Sequence, residues 1–301
     1  MLRYINDLAA AARGRGHGFR STLGVTLNYL FPTSASSPAS SPMEYYGLLG
    51  DYVGGFIGTI IGAITLVVVY KTWQSARHAD LKSKTYQVFA EMLRTHEEII
   101  GSLHLGELKG RDALDVVLSE FYFLYRGTRK LVPSYATWSV EDRIDIAFSI
   151  TYYGLQLHTL QLLEHYGRAN IQQVLALATR ARQRNEALKK PKAKRRFPGH
   201  QNRLSHYFRN LYNAYQFVDE SALGPEEKTA LAQVLRAKLS NYEQALLALN
   251  SISHLGRPWE KSGLFVRYWP IKNIPRYFFS FDPDFSTKRR FPYITFEWEA
   301  T

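Results

Sequence analysis

The hydrophobic and polar positions fall into three regimes. The first is unbroken. After Asp51 comes YVGGFIGTIIGAITLVVVY, Tyr52 to Tyr70, nineteen uncharged residues ending at Lys71. A helix of that length reaches about 28 Å, close to a hydrocarbon core of roughly 30 Å. Thr59 and Thr65 are the polar side chains in the run. The pattern therefore predicts a single transmembrane helix over residues 47–71 rather than a buried core helix. A signal peptide is a poorer fit, because the run starts far from Met1 and is too long for an h-region. Gly50, Gly54, Gly58 and Gly62 recur every four residues and share one helix face. Small residues at that interval let membrane helices approach closely. They are expected to support self-association or packing on a partner's helix.

The second regime has a helical period. From Thr72 the chain runs on without a breaker, with Val88, Met92, Ile99 and Leu103 as an apolar face, up to a break bracketed by Gly106 and Gly110. A helix is expected from Arg111 to about Tyr125. Another opens on a capping-box-like Ser139 and Asp142 and ends at Gly167. A third covers Asn170 to Lys190. Two more flank Gly224-Pro225, the second running from Glu226 to Ser253. The third regime, from Gly256, mixes prolines and aromatics and has strand-like patches, LFVRYW and YITFEW. The fold expected is mainly α: a single-pass membrane helix continuing into a cytoplasmic helical bundle over 72–255. An irregular tail, 256–301, is expected to pack on that bundle. Residues 1–46 read as an N-terminal tail, with a short helix around Leu2, Ile5 and Leu8, followed by the Pro/Ser linker PTSASSPASSP.

Charge adds partners and an orientation. The net charge of +12 suits an anionic partner, nucleic acid or an anionic membrane face. Lys71, Arg77, Lys82 and Lys84 follow the span, whereas Glu44 and Asp51 precede it. Basic flanks stay in the cytoplasm, so the long C-terminal part is expected there. Arg3, Arg13, Arg15 and Arg20 lie farther from the span and carry less weight. Lys189, Lys190, Lys192, Lys194, Arg195 and Arg196 form a basic run that reads either as an anion-binding loop for lipid headgroups or nucleic acid, or as a solvated loop. The sequence has no cysteine, which removes disulfides, thiolate catalysis and Cys-ligated zinc.

A scan for chemistry finds no phosphate loop, no HExxH, no GxSxG and no His spacing suited to a helical metal site. No metal or cofactor is expected, and an enzymatic reading has no motif behind it. The stretch LSHYFRNLYNAYQFVD sorts into an apolar stripe, Leu204, Tyr207, Phe208, Leu211, Tyr215 and Val218, and a polar row, His206, Asn210 and Asn213, with Arg209 beside it. In the following helix Arg236, Ser240, Glu243 and Asn250 share a face. If the two rows met, Arg236 or Arg209 would pair with Glu243 in a register-fixing seam or a ligand site.

These residues carry a resemblance. GHQNRLSHYFRNLYNAYQFVD, Gly199 to Asp219, followed by VLRAKLSNYEQALLALNSIS, Val234 to Ser253, resembles the phage abortive infection (AbiC-like) family. GLLGDYVGGFIGTIIGAITLVVVYKTWQ resembles the membrane segment of that family. FAEMLRTHEEIIGSLHLGELKGRDAL resembles its next region, in which a histidine-bearing helix leads into a Gly-Arg-Asp/Glu-Ala turn. The likeness runs from about Gly47 to Ser253. Members usually have two membrane helices; here an Arg-containing tail and the Pro/Ser linker stand in place of the first. The resemblance implies a bacterial inner-membrane protein acting in anti-phage defence by halting or killing the infected cell. It brings no catalytic residue. The function expected is a membrane-anchored defence protein whose cytoplasmic helices sense infection or bind a partner, and which forms a homo-oligomer or joins another defence protein. One alternative is a tethered ribonuclease of the HEPN type, which places Arg and His four to six residues apart; Arg203 and His206 are three apart. The other is a structural anchor for a cytosolic effector.

Overall fold

The computed structural model describes residues 42–131, 138–187, 197–279, 283 and 285–300. The N-terminal tail, nearly all of the Pro/Ser linker and the basic run Lys189 to Arg196 lie outside them. The chain divides into two compact units, Met1–Ala76 and Arg77–Thr301. The helix α1, Pro42–Gly101, contributes residues to both.

In the first unit the described residues are all helical, and one stretch of α1 is long and apolar enough to cross a membrane. Its large apolar side chains are exposed, including Phe56, Ile60, Ile64 and Val68. The two threonine hydroxyls within the apolar run are satisfied inside the helix: Thr59 donates to the Gly55 carbonyl and Thr65 to the Ile61 carbonyl, each at 2.8 Å. Bonding of this kind within the helix is what a hydrocarbon environment requires of polar groups. A Cβ built at Gly50, Gly54, Gly58 or Gly62 meets nothing within 4 Å, so this face is open to close approach.

The second unit is mainly helical, and its strands among the described residues form one short hairpin, β1 (His104–Leu105) against β2 (Leu108–Lys109). The hairpin turns at Gly106, φ +66°, and hands over to α2 (Arg111–Leu131) at Gly110, φ +58°, positions that favour glycine. Then follow α3 (Val140–Tyr153), α4 (Leu157–Leu162), α5 (Arg168–Ala187), α6 (Gln201–Glu220), α7 (Pro225–Lys238) and α8 (Asn241–Ile252). Two of these helices are enclosed on every side. Every residue from Ile144 to Tyr152 of α3 is buried, as is every residue from Glu243 to Asn250 of α8. Helix α2 buries the stripe Leu114, Val117, Leu118, Phe121, Leu124 and Tyr125, with helical spacing. On α6 the stripe from Leu204 to Val218 is buried as its period predicts.

The sequence pattern misplaces several boundaries. The buried residues of α1 are Phe89, His96 and Ile100; of the apolar face read from the period, Met92 and Ile99 pack partly buried against the core and Leu103 lies in it, while Val88 is exposed. The helix capped by Ser139 stops at Gly154, φ +84°, rather than running on to Gly167. There the backbone crosses the loop before α6, and a Cβ at Gly199 would lie 2.7 Å from the Tyr153 carbonyl oxygen. The helix expected from Glu226 to Ser253 is two. Leu239 leaves helical geometry, and Ser240 caps α8 by accepting the Glu243 N–H at 3.3 Å.

The tail also differs from its pattern. LFVRYW forms the short helix α10 (Leu264–Tyr268), after α9 (Arg257–Ser262), and YITFEW forms loop and a 3₁₀ turn. Alternating side chains without a neighbouring edge to bond leave the backbone unsatisfied. Here the backbone is satisfied locally, and through bonds such as that from the Glu297 N–H to the Lys272 carbonyl at 3.1 Å. The tail's apolar side chains join the helical core: Trp259, Phe265, Ile271, Phe279, Phe291 and Phe296 belong to the same buried cluster as Tyr207 and Leu246. Beyond α10 the last helix is α11 (Thr287–Arg290).

Because Gly199 combines φ +81° with a backbone neighbour that cannot yield, Gly199→Ala is expected to destabilise the protein by about 2 kcal/mol or more. Gly106→Ala, at φ +66° but in open space, is expected to cost about half as much. Thermal melts of the two variants check the order.

Candidate functional site

Three segments distant in sequence meet around one carboxylate. Glu243 lies at the start of α8, where the capping box turns its side chain back: Oε2 accepts the Ser240 N–H at 2.8 Å. The same oxygen accepts Arg111 Nε–H at 3.0 Å, and Oε1 accepts His96 Nε2–H at 2.9 Å. Glu243 and His96 are fully buried. Arg111 extends to the surface and also binds Glu97, at 3.1 Å, and the Lys238 carbonyl. Tyr207 closes the group from α6, its hydroxyl donating to the Glu243 carbonyl at 3.3 Å and its ring 5.6 Å from that of His96. Burial alone would raise the Glu243 carboxyl. The hydrogen bonds from His96 and Ser240 outweigh it and hold the carboxyl below its ordinary value. Glu243 is therefore an ionised acceptor, and His96 carries its proton on Nε2. His96 Nδ1 is buried with no partner among the described residues, so this histidine is spent on holding the helices together.

Two further carboxylate–imidazole pairs repeat the device. Glu120 on α2 accepts the Phe197 N–H at 2.9 Å and His200 Nε2–H at 2.9 Å, with both side chains 1 % exposed. It thereby fixes the strained entry to α6, where Phe197 sits at φ +48°. Asp145 on α3 accepts the His254 N–H at 2.9 Å, His254 Nδ1–H at 2.8 Å and the Tyr166 hydroxyl at 2.8 Å. Among the described residues no group of three or more His, Asp or Glu is placed to hold a metal ion.

The seam expected from the sequence does not form. His206, Arg209 and Asn213 lie exposed on the outer side of α6, with Arg203 also exposed. Asn210 is half-buried, and its Nδ2 has no partner among the described residues. Arg236 is directed to the tail, where it reaches the Tyr268 and Trp269 carbonyls at 3.4 Å. The break at Leu239 separates Arg236 from Glu243, so the two no longer share a helix face. Of the residues read as a seam, Ser240 and Glu243 alone come together. Their partners are His96 and Arg111, which sit in the histidine-bearing helix and the Gly-Arg-Asp-Ala turn quoted for the family resemblance. The periodic reading missed this convergence because it pairs neighbouring helices, and these partners are 147 and 132 residues away.

The described chain is thus a mainly helical protein with one apolar helix long enough to cross a membrane and a core tied by buried carboxylates. Residues 199–279 match the family model described as "Putative phage abortive infection protein". Over that stretch the match bears out the resemblance read from the sequence. Comparison with curated proteins and with solved structures gave no match.

Removing one partner of a buried ion pair costs about 3–5 kcal/mol, so Glu243→Ala is expected to lower stability by that order. Arg111→Ala, whose side chain is 41 % exposed, is expected to cost clearly less. The carboxyl is held below its ordinary value of 4.5. Its contribution is therefore full above that value and is lost as pH falls through the lowered folded value. Melts taken from neutral to acid pH should show a shallower acid limb for Glu243→Gln than for the parent protein.

Proposed function

We propose that this chain is a membrane-anchored anti-phage defence protein of the abortive infection type. The observation that carries the reading is the match of residues 199–279 to that family. The anchor is supported by the uncharged run Tyr52 to Tyr70, with its internally satisfied threonines. The basic residues that follow it, Lys71, Arg77, Lys82 and Lys84, support a cytoplasmic helical unit at a bacterial inner membrane. The open face of Gly50, Gly54, Gly58 and Gly62 supports association through the span, with a second copy or with a partner defence protein. In this reading the helical unit responds to infection and the outcome is arrest or death of the infected cell.

Cells producing the full chain are expected to lower the plating efficiency of some members of a phage panel relative to vector alone. Ile60→Arg with Ile64→Arg places charges at the middle of the span, where each opposes insertion by about 3 kcal/mol. That variant is expected to leave the membrane fraction and to lose protection. Unchanged plating across the whole panel would argue against a defence role. Protection by the double-arginine protein recovered in the soluble fraction would rule out the anchor.

A further inference from the structure

The three carboxylate–imidazole pairs are not equivalent. His96 and His200 bond through Nε2 and are sealed, each side chain 1 % exposed. His254 bonds through Nδ1, and its side chain is 25 % exposed. Its Nε2 has no hydrogen-bond partner among the described residues. Asp145 holds this ring with some rigour. One carboxylate oxygen takes both the His254 backbone N–H and Nδ1–H, the other takes the Tyr166 hydroxyl, and Ser149 Oγ lies 3.5 Å from the first. Burial alone would raise the Asp145 carboxyl; the bonds from His254 and Tyr166 outweigh it and hold it below the ordinary range. Asp145 is then acceptor only, the proton sits on Nδ1, and the Nε2 lone pair is the one left for a ligand. A buried carboxylate on Nδ1 with Nε2 presented outward is how an imidazole is oriented for proton transfer.

A cation follows it closely in the chain. His254 opens the 3₁₀ turn His254–Gly256, and Arg257 follows three residues on. Arg257 is the first residue of α9. Arg257 is exposed and makes no ion pair among the described residues, including with Glu260 one turn further. Its charge pulls the Tyr166 phenol down against burial and Asp145, which raise it, so the guanidinium lies within charge range of the hydroxyl that locks Asp145. The nearby carboxylates are already engaged: Asp145 as above, and Asp142 by the Ser139 N–H at 2.9 Å.

We propose that His254 and Arg257 form a recognition site for a phosphate-bearing anion, with Nε2 of His254 as the contacting atom and Asp145 and Tyr166 as positioning residues. A guanidinium gives two directed donors to phosphate oxygens. An imidazole nitrogen accepts from a protonated phosphate oxygen or donates to an ionised one, and the net charge of +12 draws anions to the protein. The site does not depend on the anti-phage reading, because its test is made on purified protein.

The test is NMR of the His254 ring in the full chain, kept in detergent, titrated with inorganic phosphate. A saturable shift at the His254 ring is expected, with affinity falling about tenfold in Arg257→Gln through loss of one charge-assisted contact. His254→Asn keeps a donor to Asp145 but lacks Nε2, and is expected to abolish saturation as followed by phosphorus NMR. Melting temperatures establish that both variants fold, and Arg257 is at the surface. Absence of a saturable shift in the parent protein, or equal affinity in Arg257→Gln, would overturn the proposal. Tighter binding of a mononucleotide than of glycerol phosphate assigns the site to nucleotides, and the reverse order assigns it to lipid headgroups; either supports it.

Discussion

The buried carboxylate of Glu243 is the interaction on which the helical unit depends. A lone ionised carboxylate is expensive to remove from water, and it is retained here because three donors converge on it. Ser240 supplies one from the cap of α8, His96 another from α1 and Arg111 a third from the start of α2. Each donor comes from a different element. Satisfying the charge and setting the arrangement of three helices are therefore the same event. A purely apolar contact among these helices would tolerate sliding, whereas hydrogen bonds of 2.8 to 3.0 Å do not.

Glu120 and Asp145 extend the principle to two places where the backbone is under constraint. Glu120 stabilises a left-handed Phe197 next to the tight crossing of Gly154 and Gly199. Asp145 joins the buried stretch of α3 to the turn that leads into the aromatic tail. The large aromatic residues fill the space between these fixed points. Trp259, for example, packs edge-on against Tyr212, Tyr215 and Phe265. The polar contacts thus specify positions and the aromatic contacts supply the buried area.

How much of this could be read from sequence follows from the range of each signal. The apolar stripe of α6 and the capping box at Ser139 were legible because they depend on residues three or four apart. The apolar run from Tyr52 to Tyr70 was legible because its length is measured against a fixed hydrocarbon thickness. The break at Leu239 was not. Leu239 fits the helical period, and the signal for the break is Ser240 with Glu243, a capping box hidden inside an unbroken apolar pattern. The partners of Glu243 were illegible for the opposite reason. They are brought to it by the tertiary fold, and helical period carries no information at a separation of 147 residues. The strand-like patches of the tail misled because alternation records half-burial, which a coil packed on a core also produces.

The long separation of His96 from Glu243 has a consequence for biogenesis. During synthesis at about 5–20 residues per second, His96 emerges on the order of ten seconds before its carboxylate partner. The apolar run from Tyr52 to Tyr70 emerges earlier still. That run is therefore fully synthesised while His96 and Arg111 still lack Glu243. Throughout that interval the nascent helices hold their apolar stripes without the element that closes the core. The last helices to leave the ribosome complete the unit, so a ribosome stalled before Glu243 leaves behind a chain without its central polar tie.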